Sequence, residues 1–277
     1  MELSGRNVLI TGASSGIGAE TARELARAGA NVYLAGRSEN RTRAVVEDIR
    51  RQAQRPAAHW LPLDLADLAS VRRCAADFLA LDVPLHILIN NAGLAGARGL
   101  TADGFEMTFG VNHLGHFALT ELLLDRIRAS APARIVTVAS RAHRYANSIE
   151  WQDLRRPTRS LTGAREYGVS KLCNILFSTE LAKRLTGSGI STYSLHPGVV
   201  ATDIWRAVPT FLRPLLKLRG MLSPTEGAQT TLYCAMRCPA SESGHYYAKS
   251  RRTLPSLCAQ NDALAAELWR RSENWTR

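Results

Sequence analysis

Thr11-Gly12-Ala13-Ser14-Ser15-Gly16-Ile17-Gly18 follows an apolar run, Asn7–Thr11, and opens into a helical pattern that begins near Ile17. Glycines in such a turn let the chain bend tightly and bring backbone close to a pyrophosphate. The helix N-terminus behind them offers unpaired N–H groups and a favourable dipole to an anion. The spacing is T-G-x-x-x-G-x-G rather than the commoner G-x-G-x-x-G. A glycine-rich turn alone is a modest signal, since turns use glycine for their own reasons. After a strand, before a helix and in the first βα unit, it reads as a dinucleotide-binding turn built from Gly12, Ser14, Ser15, Gly16, Ile17 and Gly18.

Working outward, short β-rich runs alternate with helical segments through the 277 residues. That alternation predicts an α/β chain: a single-domain doubly wound Rossmann fold with a central parallel sheet flanked by helices. Strands are expected at 7–11, 31–35, 58–63, 86–90, 134–138, 191–195 and 246–248. Helices are expected at 17–28, ended by Gly29, and at 39–54, 68–79, 104–129, 166–185, 225–236 and 262–272. No composition break divides the chain, so 1–277 reads as one domain. The stretch 204–222, rich in large apolar residues, arginine and proline, reads as a lid over an apolar substrate, the alternative being contact with an anionic bilayer.

Past the second strand the sequence is Gly36-Arg37-Ser38. An acid there would bond a free ribose 2′-hydroxyl and repel a 2′-phosphate. Arg37 instead suits a phosphate, through charge-assisted and bidentate bonds, which points to NADP(H); the plainer reading is an exposed arginine at a helix start. Asp64, after the third strand, suits the adenine amino group or a helix cap.

Tyr167 and Lys171 lie four apart on an expected helix, so they share a face. A tyrosine near its usual pKa of about 10 is a poor proton donor and acceptor at neutral pH. Two charges about 4 Å apart interact by roughly 4 kcal/mol at an effective dielectric of 20, so a nearby ammonium is expected to lower that pKa. The Y-x-x-x-K spacing is common by chance. Its weight comes from Ser140 after the fifth strand, at the sheet end where doubly wound folds place ligands, and from Asn112 inside the long helix. Ser140 would hold a substrate oxygen. Asn112 would distort the helix and hold a water, or simply cap or kink it. Asn90-Asn91-Ala92-Gly93 closes the fourth strand with small residues that suit close approach of a cofactor.

Thr11–Gly18, Asn90–Gly93, Asn112, Ser140, Tyr167, Lys171 and Pro197-Gly198 with Thr202 together resemble the motif set of the short-chain dehydrogenase/reductase family. The resemblance implies a tyrosine general acid/base, with a lysine that lowers its pKa and binds the nicotinamide ribose. It also implies a serine that orients the substrate and an asparagine that supports a proton relay. By the same resemblance Val200 and Thr202 contact the nicotinamide carboxamide, Asn91 lines the cofactor, and the cleft takes in Leu65, Ala92, Gly93, Pro197 and Gly198. The segments Val111–Phe117, Ser170–Phe177 and Ser194–Gly198 are similar to the retinol dehydrogenase branch. The sequence departs from that branch in three ways: no N-terminal membrane anchor is apparent, Ala139 stands where serine is common, and the lid stretch carries Arg206, Arg213, Lys217 and Arg219. The expected activity is NADP(H)-dependent interconversion of a carbonyl and an alcohol on an apolar substrate, a retinal-like or other hydrophobic aldehyde or ketone. The expected partners are that small substrate and, as is usual in the family, further copies of the chain in a dimer or tetramer, with apolar Leu172, Ile175, Leu176 and Leu181 facing both sheet and partner.

The rival from another class is a non-catalytic NADP(H)-binding sensor or scaffold, which would not need Asn112, Ser140, Tyr167 and Lys171 together. The net charge of +11 invites a nucleic-acid reading, but the arginines are dispersed and no nucleic-acid module is present. The five cysteines are scattered and odd in number, which fits reduced thiols in the cytoplasm rather than a disulfide framework. No metal is expected; His113, His116 and His196 read as packing or hydrogen-bonding residues.

Overall fold

Asn7–Thr11 (β1) is buried along its whole length, as a strand covered on both faces must be. It pairs in parallel with Asn31–Gly36 (β2) on one side and, across the sheet, with Ile87–Asn90. A computed structural model of the chain describes residues 2–52, 58–200 and 222–277. Within these residues Ala58–Pro62 is β3 and Ile87–Asn90 is β4. Ala133–Val138 is β5, Ile190–His196 β6, Tyr246–Ala248 β7 and Arg251–Arg252 β8. The order across the sheet is β3-β2-β1-β4-β5-β6-β7-β8, parallel throughout except for β8, which runs antiparallel to β7. The chain therefore winds outward from β1, returns, and winds the other way from β4. The crevice between the C-terminal ends of β1 and β4 is the switch point where such sheets bind ligands.

The helices are α1 (Gly16–Arg27), α2 (Glu39–Gln52), α3 (Leu68–Ala80), α4 (Met107–Phe109), α5 (Gly115–Ala129), α6 (Ala164–Arg184), α7 (Pro224–Met236) and α8 (Asp262–Thr276). One face of the sheet is packed by Ala22 and Leu25 of α1, Val45 and Ile49 of α2, and Leu232 and Ala235 of α7. The other is packed by Val71 and Phe78 of α3, Leu119 and Leu123 of α5, and Phe177 and Leu181 of α6. Gly29 ends α1 as expected: its φ of +95° is left-handed, and its N–H caps Ala26. At α7, Ser223 and Glu226 form a reciprocal capping box with proline in the first turn.

Two expectations change. The helix predicted over 104–129 is interrupted: α4 passes into a π-helical turn, Gly110–Leu114, before α5 begins. Glycines bracket that turn, and both let neighbours in. A Cβ on Gly110 would meet Thr101 Cγ2 at 2.3 Å, and one on Gly115 would meet the Leu65 carbonyl at 2.7 Å. The strand β8 was not expected. It is set by a two-residue turn, Lys249-Ser250, with φ of +52° and +56°, the conformation of a hairpin turn usually written with Asn and Gly.

The apolar surplus on α6 also has another explanation. Leu172, Ile175, Leu176 and Leu181 are all fully buried within the chain, because α8 lies against the outer side of α5 and α6. Trp269 of α8 stacks on Phe177 at 5.9 Å, meets Phe117 edge-on at 4.9 Å, and lies under the Arg184 guanidinium at 4.4 Å. These leucines and Ile175 do not require a second copy of the chain to cover them. Among the described residues no helix is long and apolar enough to cross a membrane. Thr202, almost all of the 204–222 stretch and the expected helix end at Gln54 lie outside the described residues.

Truncating Trp269 to alanine is expected to destabilise the fold by about 3–5 kcal/mol, as large-to-small changes at buried aromatics do. Urea unfolding followed by far-UV circular dichroism measures this. A cost below about 1 kcal/mol would mean that α8 is not a structural part of the core.

Candidate active site

Thr11 ends β1 and its hydroxyl is the meeting point of the crevice. It accepts N–H bonds from Asn91 and Ala92, both at 2.9 Å, and sits 2.8 Å from His116 Nε2. Beyond it Gly12 turns at φ +68°, where a Cβ would strike Ala92 Cα at 2.7 Å. Gly18 is equally constrained, since a Cβ there would meet Asn91 Nδ2 and the Gly12 carbonyl, each at 2.5 Å. The turn thus places the first N–H groups of α1 at the crevice. That helix start has no acid in its first turn and takes no side-chain cap from Ser15, and its N–H groups and dipole favour an anion. These features fit a dinucleotide phosphate.

The other expected cofactor residues divide. Arg37 is exposed just past β2 and makes no hydrogen bond or ion pair with the described residues. Asp64 does not cap α3; Asp67 does, by accepting from Ala69 N. Asp64 Oδ1 instead accepts from Ala66 N at 3.0 Å, closing a local turn. The Leu65 side chain is buried in the core, so only its backbone can border the crevice. The Asn91 side chain is turned to the protein, with Nδ2 donating to the Thr11 carbonyl at 2.8 Å. Gly93 lies where a Cβ would be 3.3 Å from Asn112 Oδ1 and 3.5 Å from Lys171 Nζ, a close approach that keeps the floor open. Gly198 follows Pro197 at φ +98°, and Val200 is buried against Gly227 and Ile17.

The four expected catalytic residues come from three elements around the ends of β4 and β5. Ser140 follows β5, caps a short 3-10 turn by accepting from Ala142 N at 3.1 Å, and lies beside Tyr167. Tyr167 sits in the first turns of α6 and is partly exposed. Lys171, one turn on, is fully buried and donates from Nζ to the Val138 carbonyl at 2.8 Å. Asn112 occupies the middle of the π turn, as a helix-distorting asparagine was expected to. Its side chain is fully used: Oδ1 accepts from Leu94 N at 2.9 Å, and Nδ2 donates to the Leu94 carbonyl at 3.0 Å and to Ser170 Oγ at 2.9 Å. Ser170 in turn donates to the Tyr167 carbonyl. Any water held by Asn112 would therefore bind its main chain rather than its amide.

The electrostatics differ from the sequence expectation. Burial pushes the Tyr167 phenol up, and the neighbouring Ser140 hydroxyl pulls the other way. Lys171 does not lower it in this arrangement: Nζ is 5.8 Å from the ring centroid and is turned to Val138. Burial pushes the Lys171 amine itself down to about 7.

Sequence reasoning quoted Thr11 only as the start of the phosphate turn and Ser170 only within a family segment, giving neither a role of its own at the site. The signal for His116 was its place four residues after Asn112, on the same helical face. His113 and His116 have the hydrogen-bonding roles expected of them, the first to Ser272 Oγ of α8 at 3.0 Å, the second to Thr11 and to the Asn112 carbonyl. The 141–165 stretch does line a cavity of about 410 Å³, with Glu106, Phe109, Glu150, Leu154 and Arg165 in its wall, but Arg165, Glu166 and Val169 face it from the side of α6 opposite Tyr167. It is separate from the Ser140–Tyr167 cleft.

Known proteins share this fold and much of this sequence. A family model described as short chain dehydrogenase matches residues 6–151. Retinol dehydrogenase 12 of Homo sapiens is 44% identical over 281 aligned positions, covering 97% of this chain and 85% of that protein. Retinol dehydrogenase 13 of Homo sapiens is 41% identical, covering 98% and 84%. Among solved structures, a protein from Mycobacterium Paratuberculosis superimposes with a TM-score of 0.79 at 37% identity, covering 99% of this chain and 94% of that one. The Pseudomonas aeruginosa RhlG/NADP complex gives 0.72 at 28% identity, covering 88% and 94%. The chain belongs to the short-chain dehydrogenase/reductase family. Within it, the chain is an oxidoreductase related to the retinol dehydrogenases, and membership implies a nicotinamide cofactor, NAD or NADP.

The buried amine makes a prediction about stability. Below about pH 7 Lys171 carries its proton in both folded and unfolded chains. Between about 7 and its ordinary value of 10.5 only the unfolded chain holds it. The unfolded state then binds more protons, so stability contributed at this site rises with pH across that window. In the cofactor-free protein, the unfolding free energy of wild type minus that of Lys171→Met is expected to increase from pH 7 to pH 10. A difference that stays flat would place the Lys171 pKa outside that window.

Proposed function

We propose that the chain is an NADP(H)-dependent reductase and dehydrogenase that interconverts an apolar carbonyl compound and its alcohol, with Tyr167 as general acid/base. The observation that carries the reading is the placement of Ser140, just past β5, beside Tyr167, with Lys171 one turn further along the same helix. A bound nicotinamide cofactor supplies the hydride to the carbonyl carbon, or takes it in the reverse direction. Tyr167 gives its phenolic proton to the carbonyl oxygen, and the Ser140 hydroxyl holds that oxygen. Lys171 uses one N–H on Val138 and keeps its remaining donors for the nicotinamide ribose. The main chain of Asn112 supports the water that returns a proton towards Lys171.

Gly12, Gly16, Ile17 and Gly18 cradle the pyrophosphate at the start of α1. The preference for NADP(H) is supported by Arg37, exposed beside β2 and without a hydrogen bond or ion pair among the described residues, where an acid would mark NAD(H). The apolar class of substrate is supported by similarity to proteins named retinol dehydrogenases.

Tyr167→Phe is expected to lower turnover by about 100-fold or more, the usual scale of acid–base catalysis, with NADPH affinity nearly unchanged. NADPH oxidation with retinal and a panel of hydrophobic aldehydes and ketones measures the first, and fluorescence titration the second. Full activity in the variant would remove Tyr167 from the mechanism, while tight NADPH binding by an inactive wild type would favour the sensor. Arg37→Ala is expected to weaken NADPH by about tenfold or more, the scale of a charge-assisted hydrogen bond, and to leave NADH almost unaffected. Equal losses for both cofactors would remove Arg37 from selectivity.

A further inference from the structure

We propose that His116 is a positioning residue that ties the floor of the cofactor crevice to the main chain of Asn112, through one fixed neutral tautomer. The proposal rests on the functional reading above, and deepens it by adding a residue which touches neither substrate nor cofactor.

His116 is buried in the first turn of α5. Its Nδ1 lies 3.0 Å from the Asn112 carbonyl oxygen, and its Nε2 lies 2.8 Å from Thr11 Oγ1. A carbonyl can only accept, so Nδ1 carries the proton. Burial strongly disfavours the imidazolium and the Lys171 charge acts in the same sense, although the bond to Asn112 opposes them. The ring is therefore neutral, and Nε2 must accept. The single hydroxyl proton of Thr11 goes to Nε2, which leaves the oxygen to accept the N–H groups of Asn91 and Ala92. Each donor and acceptor of the hub is then used once. The competing arrangement sends the Thr11 proton to the Ile89 carbonyl at 3.5 Å; that bond is long and would leave a buried ring nitrogen without a partner.

The hub spans three segments that chemistry at the cleft requires in register. Thr11 leads into Gly12 and the phosphate turn. Asn91 and Ala92 lead from β4 into Gly93, beside Lys171. The carbonyl of Asn112 belongs to the π turn, whose side-chain amide is already committed to Leu94 and Ser170. His116 therefore acts on cofactor geometry through Nε2 and on the relay through Nδ1.

Two substitutions separate these arms. In His116→Gln the amide oxygen can reach the Nε2 position and accept from Thr11, but nothing donates to Asn112. In His116→Asn the amide nitrogen can reach the Nδ1 position and donate to Asn112, but Thr11 loses its acceptor. We expect His116→Gln to keep NADPH affinity within about twofold while kcat falls by about tenfold or more and the pH–kcat profile shifts. We expect the reverse emphasis in His116→Asn, with NADPH weakened by about fivefold or more and kcat at saturating cofactor closer to wild type; each tenfold corresponds to about 1.4 kcal/mol. Equal losses in both readouts with an unchanged pH profile, or no loss in either, would overturn the proposal. In the wild-type protein, ¹⁵N NMR of the imidazole at neutral pH is expected to report the Nδ1–H tautomer for His116. An Nε2–H tautomer or an imidazolium would overturn the assignment even if neither variant folds. If Tyr167→Phe proved active the functional reading would fall, while the tautomer and the affinity measurements would still decide the hub.

Discussion

The constraint on which the rest depends is the reversal of winding between β1 and β4. Two parallel strands that end side by side but continue in opposite directions leave a crevice with backbone groups that neither strand can satisfy. One hydroxyl resolves this. Thr11 collects the N–H groups of Asn91 and Ala92, and Asn91 returns a bond to the Thr11 carbonyl. With the strand ends fixed, Gly12 and Gly18 can pack at distances no side chain would tolerate, and α1 is aimed at the crevice. The helices that carry Asn112 and Tyr167 reach the same place from the far side of β4 and β5.

The buried polar groups of the site form two linked sets rather than one. Tyr167, Ser170 and the Asn112 amide make a chain along α6, with Ser140 beside it. Thr11, His116 and the Asn112 carbonyl make another across the strand ends. Asn112 belongs to both, which gives a physical reason for the local departure from α-helix: the wider π turn carries side chain and main chain to different partners. Lys171 stands between the sets and is anchored to the Val138 carbonyl.

Much of this was legible in the sequence, and the parts that were not have identifiable causes. Strands through β7 and the long helices, apart from the π turn that interrupts the one expected over 104–129, follow from periodicity and from markers such as Gly29. The hairpin to β8 was hidden because Lys249 and Ser250 adopt positive φ without the residues that advertise it. The spacing of Tyr167 and Lys171 gave the correct helix face but not the destination of the amine, which a backbone carbonyl of β5 decides. Asn91 was expected to face a cofactor, yet its amide is taken by β1. In each case a short-range pattern fixed which element carries the residue, and a contact distant in sequence fixed where its polar atoms went.

The placement of α8 bears on how the molecule is made. It covers the outer side of α5 and α6, yet it lies far downstream of both. At about 5–20 residues per second of synthesis, the roughly 80 residues between Arg184 and Asp262 take on the order of 4–16 seconds to emerge. Through that interval the aromatic surface around Phe117 and Phe177 has no cover from its own chain. The order of the elements thus leaves apolar surface behind α6 to be covered last, by the final helix of the chain.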